Sequence, residues 1–586
     1  MQYLLLTCDV PCVMYCPTMA SLIAKRKKHK LYYYVVESAR RDGRPRIVHQ
    51  TYLGNAEKVA ALLKDRTAPL PLSASRRELG LPGALWLAAQ QSGVFALLQS
   101  LWGEPRSGPS PAHYLLLAAF HRLASPGPKT ETAEWYRQTV LYPLWGFEPE
   151  RFSSQAFWDC FEQLLPEKQA AARREERDPL EEAQARLLGL WKEKPLVSQR
   201  LLAYDTTNFY TYIASTNTRN HLAQRGHNKQ GRHDLRQVGL CCVRDGESGL
   251  ALCHHVYPGN VTDTEEFPVA LERLRRLLAR HAIAPETVTL VFDKGTAALA
   301  NTVLLEEAGL GWISALPWNQ APAEFRQRPV EALPACSSAP PGVRAAAENL
   351  LVHGKEYRGV LKYSTTFAAE QLHSLSTSLS KVLGALKRLA GEGARPGNRL
   401  TPAGIEAKIQ RWLATPFLAQ LVRYELRNEG GRLRLSFQVD HVALQELLTH
   451  RLGRTLLLTN RREWTAEQVV AAYAGQQELE QVFRGLKGGD WLNWQPMYHW
   501  TDSKIRVHAF SCLLGLSLLH YVLRQAQTFW PQLTVEKLQD ELADIQQFVL
   551  LYPALGGGPP RTATVLATQN LVQKGLVETL GLQQLA

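Results

Sequence analysis

The chain predicts a mixed α/β fold built on a central sheet, and three observations in its middle third carry that prediction. Two runs of apolar and β-branched residues, LLAYD (201–205) and TVTLVFD (287–293), each close on an aspartate. Each reads as a buried strand delivering its last side chain to the rim of a sheet. Between them QVGLCCV and LALCHHVY alternate around the Asp-Gly turn RDGESG, and TEEFPVALERLRRLLARH carries helical periodicity. The order is therefore strand, strand, strand, helix, strand, and GWISALP (311–317) supplies a fifth strand after another helix.

At the N-terminus a second methionine, Met19, opens MASLIAKRKKHK, and residues 1–18 read as an extension from a misassigned upstream start codon. Cys8, Cys12 and Cys16 lie there four apart, without the histidine or second cysteine pair of a zinc set. In region 19–70, LYYYVVES and IVHQTYLG flank ARRDGRPR, a β-hairpin whose tip carries Arg40, Arg41 and Arg44. A two-stranded ribbon with an arginine-rich tip is a candidate reader of DNA grooves or phosphates. Residues 71–195 form a helical domain, with LPGALWLAAQQSGVFALLQSLW and PAHYLLLAAFHRLAS as amphipathic runs.

The sheet core occupies 196–318 and includes the basic loop RNHLAQRGHNKQGRHDL, with Lys229 and Arg232. His254 and His255 alternate in a strand and read as packing or hydrogen-bonded residues rather than metal ligands. Residues 319–452 read as an insertion. Its apolar seam, Leu372, Leu375, Leu379, Val382, Leu386 and Leu389, is too short for a coiled-coil dimer and reads as packing inside the domain. RYEL and LRLSFQVD flank RNEGGR as a hairpin. The core resumes over 453–530, where Thr465–Gln468 is a capping box opening a helix, and 531–586 reads as a helical C-terminal region. The most apolar stretch, 509–519, is too short to cross a bilayer, so a soluble protein without a membrane partner is expected.

At 586 residues the chain exceeds one ordinary core. Lys+Arg exceeds Asp+Glu, 67 against 54, a net charge of +13 that favours a polyanionic partner. Nine cysteines in this length exclude a disulfide framework and fit a reducing cytoplasm.

A third acid, Glu480, lies on the helical stretch YAGQQELEQVFRGLK. Tyr473, Gln476, Glu480 and Lys487 follow one another by three, four and seven residues, which puts all four on one stripe of a helix. Asp205, Asp293 and Glu480 thus bring hard oxygen ligands from two strand ends and one helix. Two divalent ions about 3.5 to 4 Å apart, clamping the attacking and leaving oxygens of a phosphodiester, need such ligands.

With NKQGRHDLRQVGL (228–240), PGNVTD (258–263), FDKG (292–295), FRGLK (483–487) and QPMYHWTDSKIRVHAF (495–510) around the carboxylates, the chain resembles the DDE transposases of bacterial insertion sequences. Within these it is similar to the large group with a Tyr-x2-Arg-x3-Glu-x6-Lys signature. Gln476 stands where that group has arginine, and Arg484, on nearly the same face as Glu480, is the candidate substitute for its charge. The resemblance implies a ribonuclease-H-like core whose first and fourth strands lie side by side and bring Asp205 and Asp293 together. It implies an insertion before the catalytic helix and DNA-end binding by the helical region. The implied activity is DNA end cleavage and strand transfer dependent on two Mg2+ ions, with Mn2+ able to substitute. Tyr473, Arg484, Lys487, Lys229 and Arg232 become candidate DNA contacts. The implied partners are terminal inverted repeats, target DNA and a second copy on paired ends, at the bacterial nucleoid in the cytoplasm. Two readings stay open beside it: a ribonuclease-H-like nuclease without strand transfer, and a DNA-binding protein descended from a transposase.

Overall fold

The computed structural model describes residues 18–585 apart from 28–29, 42–43, 56–57, 59–70, 168–177, 227–230, 294–298, 338, 394–400, 430–431, 488–493, 496 and 554–559. The extension over 1–17 and Lys229 therefore lie outside the described residues, as do the side chains of Arg40, Arg41, Arg44, Gln476, Glu480 and Arg484. Two compact units are present, Met1–Arg76 with Phe548–Val565 and Arg77–Gln547 with Leu566–Ala586.

In the first unit, β1 (Thr18–Lys27), β2 (Lys30–Arg41) and β3 (Arg44–Asn55) form an antiparallel sheet in the order β1-β2-β3. The expected hairpin is β2–β3, with Arg41 opposite Arg44 at its tip. The third strand, β1, ends in a lysine- and arginine-rich run that obscures it in the sequence, and it gives the hairpin the extra partner that an isolated ribbon lacks in water. Tyr34 packs against Tyr52 at 5.1 Å, with the Lys25 ammonium over the Tyr34 ring. A further three-stranded sheet joins β4 (Ser73–Glu78) to Gln546–Tyr552 and Arg561–Leu566. The expected all-helical C-terminal region thus contains two strands.

The second unit opens with helices α1 (Gly80–Gln91), α2 (Val94–Trp102), α3 (Pro111–Ala124), α4 (Ser154–Leu164) and α5 (Pro179–Glu193). Each start is legible in local chemistry. Ser110 closes a capping box with His113 ahead of Pro111, and the Asp178 carboxylate accepts from the Leu180 amide ahead of Pro179.

The central sheet has eight strands: β5 (Leu201–Thr211), β6 (Arg236–Asp245), β7 (Ala251–Pro258), β8 (Thr289–Phe292), β9 (Gly311–Leu316), β10 (Val343–Val352), β11 (Lys355–Ser364) and β14 (Arg454–Thr459). Their order is β10-β11-β14-β9-β8-β5-β6-β7, with β5, β8 and β9 parallel and every other pair antiparallel. The first and fourth core strands, β5 and β8, are neighbours as the resemblance implies. Helix α6 (Asp263–Arg280) links β7 to β8, starting at a Thr262–Glu265 capping box, and α7 (Leu299–Glu307) links β8 to β9.

The expected insertion boundary at 319 is too early, because β10 and β11 extend the central sheet through β14. The part with its own core lies between β11 and β14: α8 (Thr365–Gly393), α9 (Pro402–Leu413), the hairpin β12 (Val422–Glu429) and β13 (Arg432–Val439), and α10 (His441–His450). Leu375, Val382, Leu386 and Leu389 of the predicted seam are buried against Ile405, Ile409 and Leu433 of this same segment.

Helix α11 (Ala466–Leu486) then crosses the sheet, and α12 (Asp502–Gln527) follows. By length and composition α12 is long and apolar enough to span a bilayer, a correction to the short helix expected over 509–519, yet 89% of its most apolar window is buried. It packs on α1, α3, α4 and β7, so the helical region and the sheet share one hydrophobic core. Helices α13 (Val535–Ala543) and α14 (Leu571–Thr579) complete this unit.

Candidate functional site

Asp205 and Asp293 sit on adjacent backbones. Tyr204 of β5 is level with Phe292 of β8, the last residue of its strand, so the aspartates that follow are neighbours on strands about 5 Å apart. Alternation sends both to one face. Tyr204 and Phe292 both pack against Phe267 of α6, whereas Leu201 and Val291 belong with the cluster under α11. Asp205 and Asp293 share the parity of Leu201 and Val291, and both are half-buried. Backbone hydrogen bonding holds the first of them, since the Thr206 amide donates to Asp205 Oδ1 at 2.8 Å.

The helix carrying Glu480 lies over that face. Its capping box forms as expected: the Thr465 amide donates to Gln468 Oε1 at 2.9 Å and the Gln468 amide to Thr465 Oγ1 at 3.3 Å. Val469, Val470, Ala472 and Tyr473 then bury against Val291, Ile313, Val360 and Leu457. Gly475 passes close to Gly246, whose amide donates to the Leu201 carbonyl at the start of β5. At the far end the Leu486 carbonyl accepts from the Trp494 amide, and the Trp494 ring stacks on Phe209 near the end of β5, 4.3 Å away and 6° from parallel. Residue 480 lies on the helix between these two anchors, and Asp205 lies within β5 between Leu201 and Phe209. Tyr473 is 7% exposed, a packing position inside the sheet cluster rather than a surface contact. Lys487 is half-exposed just past the helix end.

The basic loop after β5 is tied down by acids. Arg232 pairs with Asp234 at 3.1 Å and lies over the Tyr210 ring, while Arg219 pairs with Glu167 at 2.7 Å and lies over Trp500. Trp500 stacks on Trp158 at 5.4 Å. Two anchoring carboxylates escape the sequence reading. Asp502, at the first turn of α12, accepts from the amides of His221 and Leu222, and burial, opposed by those amides, raises its pKa. Asp245, fully buried at the end of β6, accepts from the Ser198, Gln199 and Ser248 amides and clamps the β6–β7 turn. The sequence signal was the Asp-Gly turn, which marks a reversal without revealing its buried hydrogen bonds.

As hard oxygen donors on one face, Asp205 and Asp293 fit divalent metal ions, and the Glu480 backbone is placed on the facing helix. The family profile described as the transposase DDE domain matches residues 198–517, more than half of the 586-residue chain. No curated protein matches the chain. Among solved structures, a cryo-EM structure of the piggyBac transposase synaptic complex with hairpin DNA is similar at TM-score 0.33 and 9% identity, covering 80% of this chain and 82% of that one. The Mos1 transposase paired-end complex with left transposon end gives TM-score 0.14 and 16% identity over 36% of this chain and 60% of that one. Neither TM-score is high enough to carry the fold, which rests on the strand order above.

Proposed function

Because the chain belongs to the transposase DDE-domain family, we propose that this transposase cuts the ends of an insertion sequence and joins the freed 3′-hydroxyl to target DNA, with Asp205, Asp293 and Glu480 as metal ligands. The observation supporting this reading is the placement of both aspartates on one face of neighbouring strands, Asp205 within β5 and Asp293 just past the end of β8, under the helix that carries Glu480. Two Mg2+ ions, with Mn2+ able to substitute, would supply Lewis-acid activation of the attacking and leaving oxygens when bound there. The chain's own residues provide the positioning. The Thr206 amide fixes the Asp205 carboxylate, and the buried Tyr473 anchors to the sheet the helix that carries Glu480. Lys487, two turns further on, offers a point charge to a DNA phosphate, with Lys229, Arg232, Arg484 and the arginines of the β2–β3 tip as further phosphate contacts. Terminal inverted repeats, target DNA and a second copy on paired ends are the partners, in the bacterial cytoplasm.

The test is incubation of the full chain with labelled element ends and Mg2+ or Mn2+, beside Asp293→Ala and Glu480→Ala. Cleaved and joined products that vanish in both variants are expected. Cleavage without joining would replace this reading with a nuclease, and binding without cleavage would replace it with a DNA-binding descendant.

A further inference from the structure

The face of the central sheet turned away from the aspartates carries a different donor set. Register places Cys241 of β6 opposite His255 of β7, and the capping box that starts α6 sets Glu266 in the helix's first turn, above both strands. His255 Nδ1 donates to Glu266 Oε1 at 2.6 Å, and Cys241 Sγ lies 3.8 Å from the same oxygen. All three donor atoms fall within 4.8 Å of one another. Cys241 and Glu266 are each 3% exposed. A thiol, an imidazole and a carboxylate converging at that depth is unlike the all-oxygen set of Asp205 and Asp293.

We propose that Cys241, His255 and Glu266 bind one Zn2+-class ion, a structural site that pins β6, β7 and α6 together. Thiolate, imidazole and carboxylate are the donors such a borderline-soft ion takes, and the two anionic ligands neutralise its charge. A cavity of about 450 Å3 lined by Cys241, Cys253 and His255 leaves room for a fourth ligand. The nearby cations are held by acids, Arg273 by Glu181 and Arg506 by Asp178. Alternation in a strand made His255 read as a packing or hydrogen-bonded residue, and it is hydrogen-bonded to Glu266; its partners come from 14 residues upstream and 11 downstream, a meeting that only strand register reveals.

The test is uptake of Zn2+, then Co2+, by metal-stripped full-length protein in excess Mg2+. One equivalent of Zn2+ and, with Co2+, a sulfur-to-cobalt charge-transfer absorption are expected, lost in Cys241→Ser and retained in Cys160→Ala. Where Cys241→Ser fails to fold, His255→Gln decides, because it keeps every cysteine and should still lose the stoichiometric ion; a folded His255→Gln that retains it overturns the site. Folded wild type that takes up no stoichiometric metal, or binds Co2+ without the sulfur band, overturns the site. No DNA cleavage enters the readout, so the result is independent of the transposition reading.

Discussion

The two faces of the central sheet do different work although they alternate residue by residue. On the α11 side, Asp205 within β5 and Asp293 just past the end of β8 stand half-buried on neighbouring strands, beyond an apolar cluster formed by Val291, Ile313 and Tyr473. On the α6 side, one residue along each strand, Tyr204 and Phe292 pack on Phe267, and Cys241, His255 and Glu266 converge in the interior. A strand shifted by one residue would exchange the two chemistries, so register is itself a functional constraint here. The first face leaves carboxylates accessible, whereas the second consumes its polar groups in holding strands to a helix.

The largest effect of a substitution falls on the first face. Asp293→Ala and Glu480→Ala should each lower the cleavage rate by about 4 kcal/mol of barrier, on the order of 10³-fold, while the denaturant midpoint barely moves. A large loss of stability in Asp293→Ala would break the comparison by making that carboxylate structural. The opposite expectation holds for Gly239→Ala on β6. A Cβ there would lie 2.2 Å from the ring of Tyr257, which is fully buried against it. Urea unfolding should show a loss of about 2 to 3 kcal/mol, with cleavage per folded molecule unchanged.

Much of this was legible in the sequence where local chemistry decides it. The strand that stops just before Asp293, the Asp-Gly hairpin, the Thr465 capping box and the apolar seam of α8 each have a short-range cause, whereas the strand expected to stop at Asp205 continues to Thr211 because its later residues pair with β6. What could not be read depends on distant partners. β10 and β11 look like part of an insertion until β14, some ninety residues later, is seen to pair with β11 and β9. The stripe through Tyr473 fixes a helix face but not what it meets, and the sheet has taken Tyr473 into its core. Asp245 has the same local look as Asp205, and only its buried amide donors mark it as a clamp.

Acid should weaken the α12 roof of the sheet next. Burial, reinforced by the charge of Arg244, holds the pKa of His520 down to about 3, while the unfolded chain has the usual value near 6.5. The unfolded state therefore binds the extra proton first. The stabilising contribution of neutral His520 is complete above about pH 6.5 and is lost progressively as pH falls towards 3. At pH 5 the loss is about 2 kcal/mol. His520→Gln should flatten the fall in unfolding free energy between pH 7 and 5 by roughly that amount; an unchanged slope would assign the acid sensitivity elsewhere.

The smallest effect belongs to the charges at the rim, where the comparison can be made sharpest. Lys487 lies half-exposed just past the end of α11, whereas Arg276 lies exposed on α6 and pairs with Glu272 at 3.1 Å. A lysine on a DNA phosphate releases about one counterion, so Lys487→Ala should weaken binding to element ends by about 1 kcal/mol and reduce the slope of log K against log salt by about 1. Arg276→Ala should leave that slope alone, because α6 lies on the sheet face turned away from the aspartates. Titrating both variants from low to moderate salt separates local phosphate contact from net charge, since each loses the same single charge. Equal slopes would mean that DNA responds to the chain's overall positive charge and not to the α11 face.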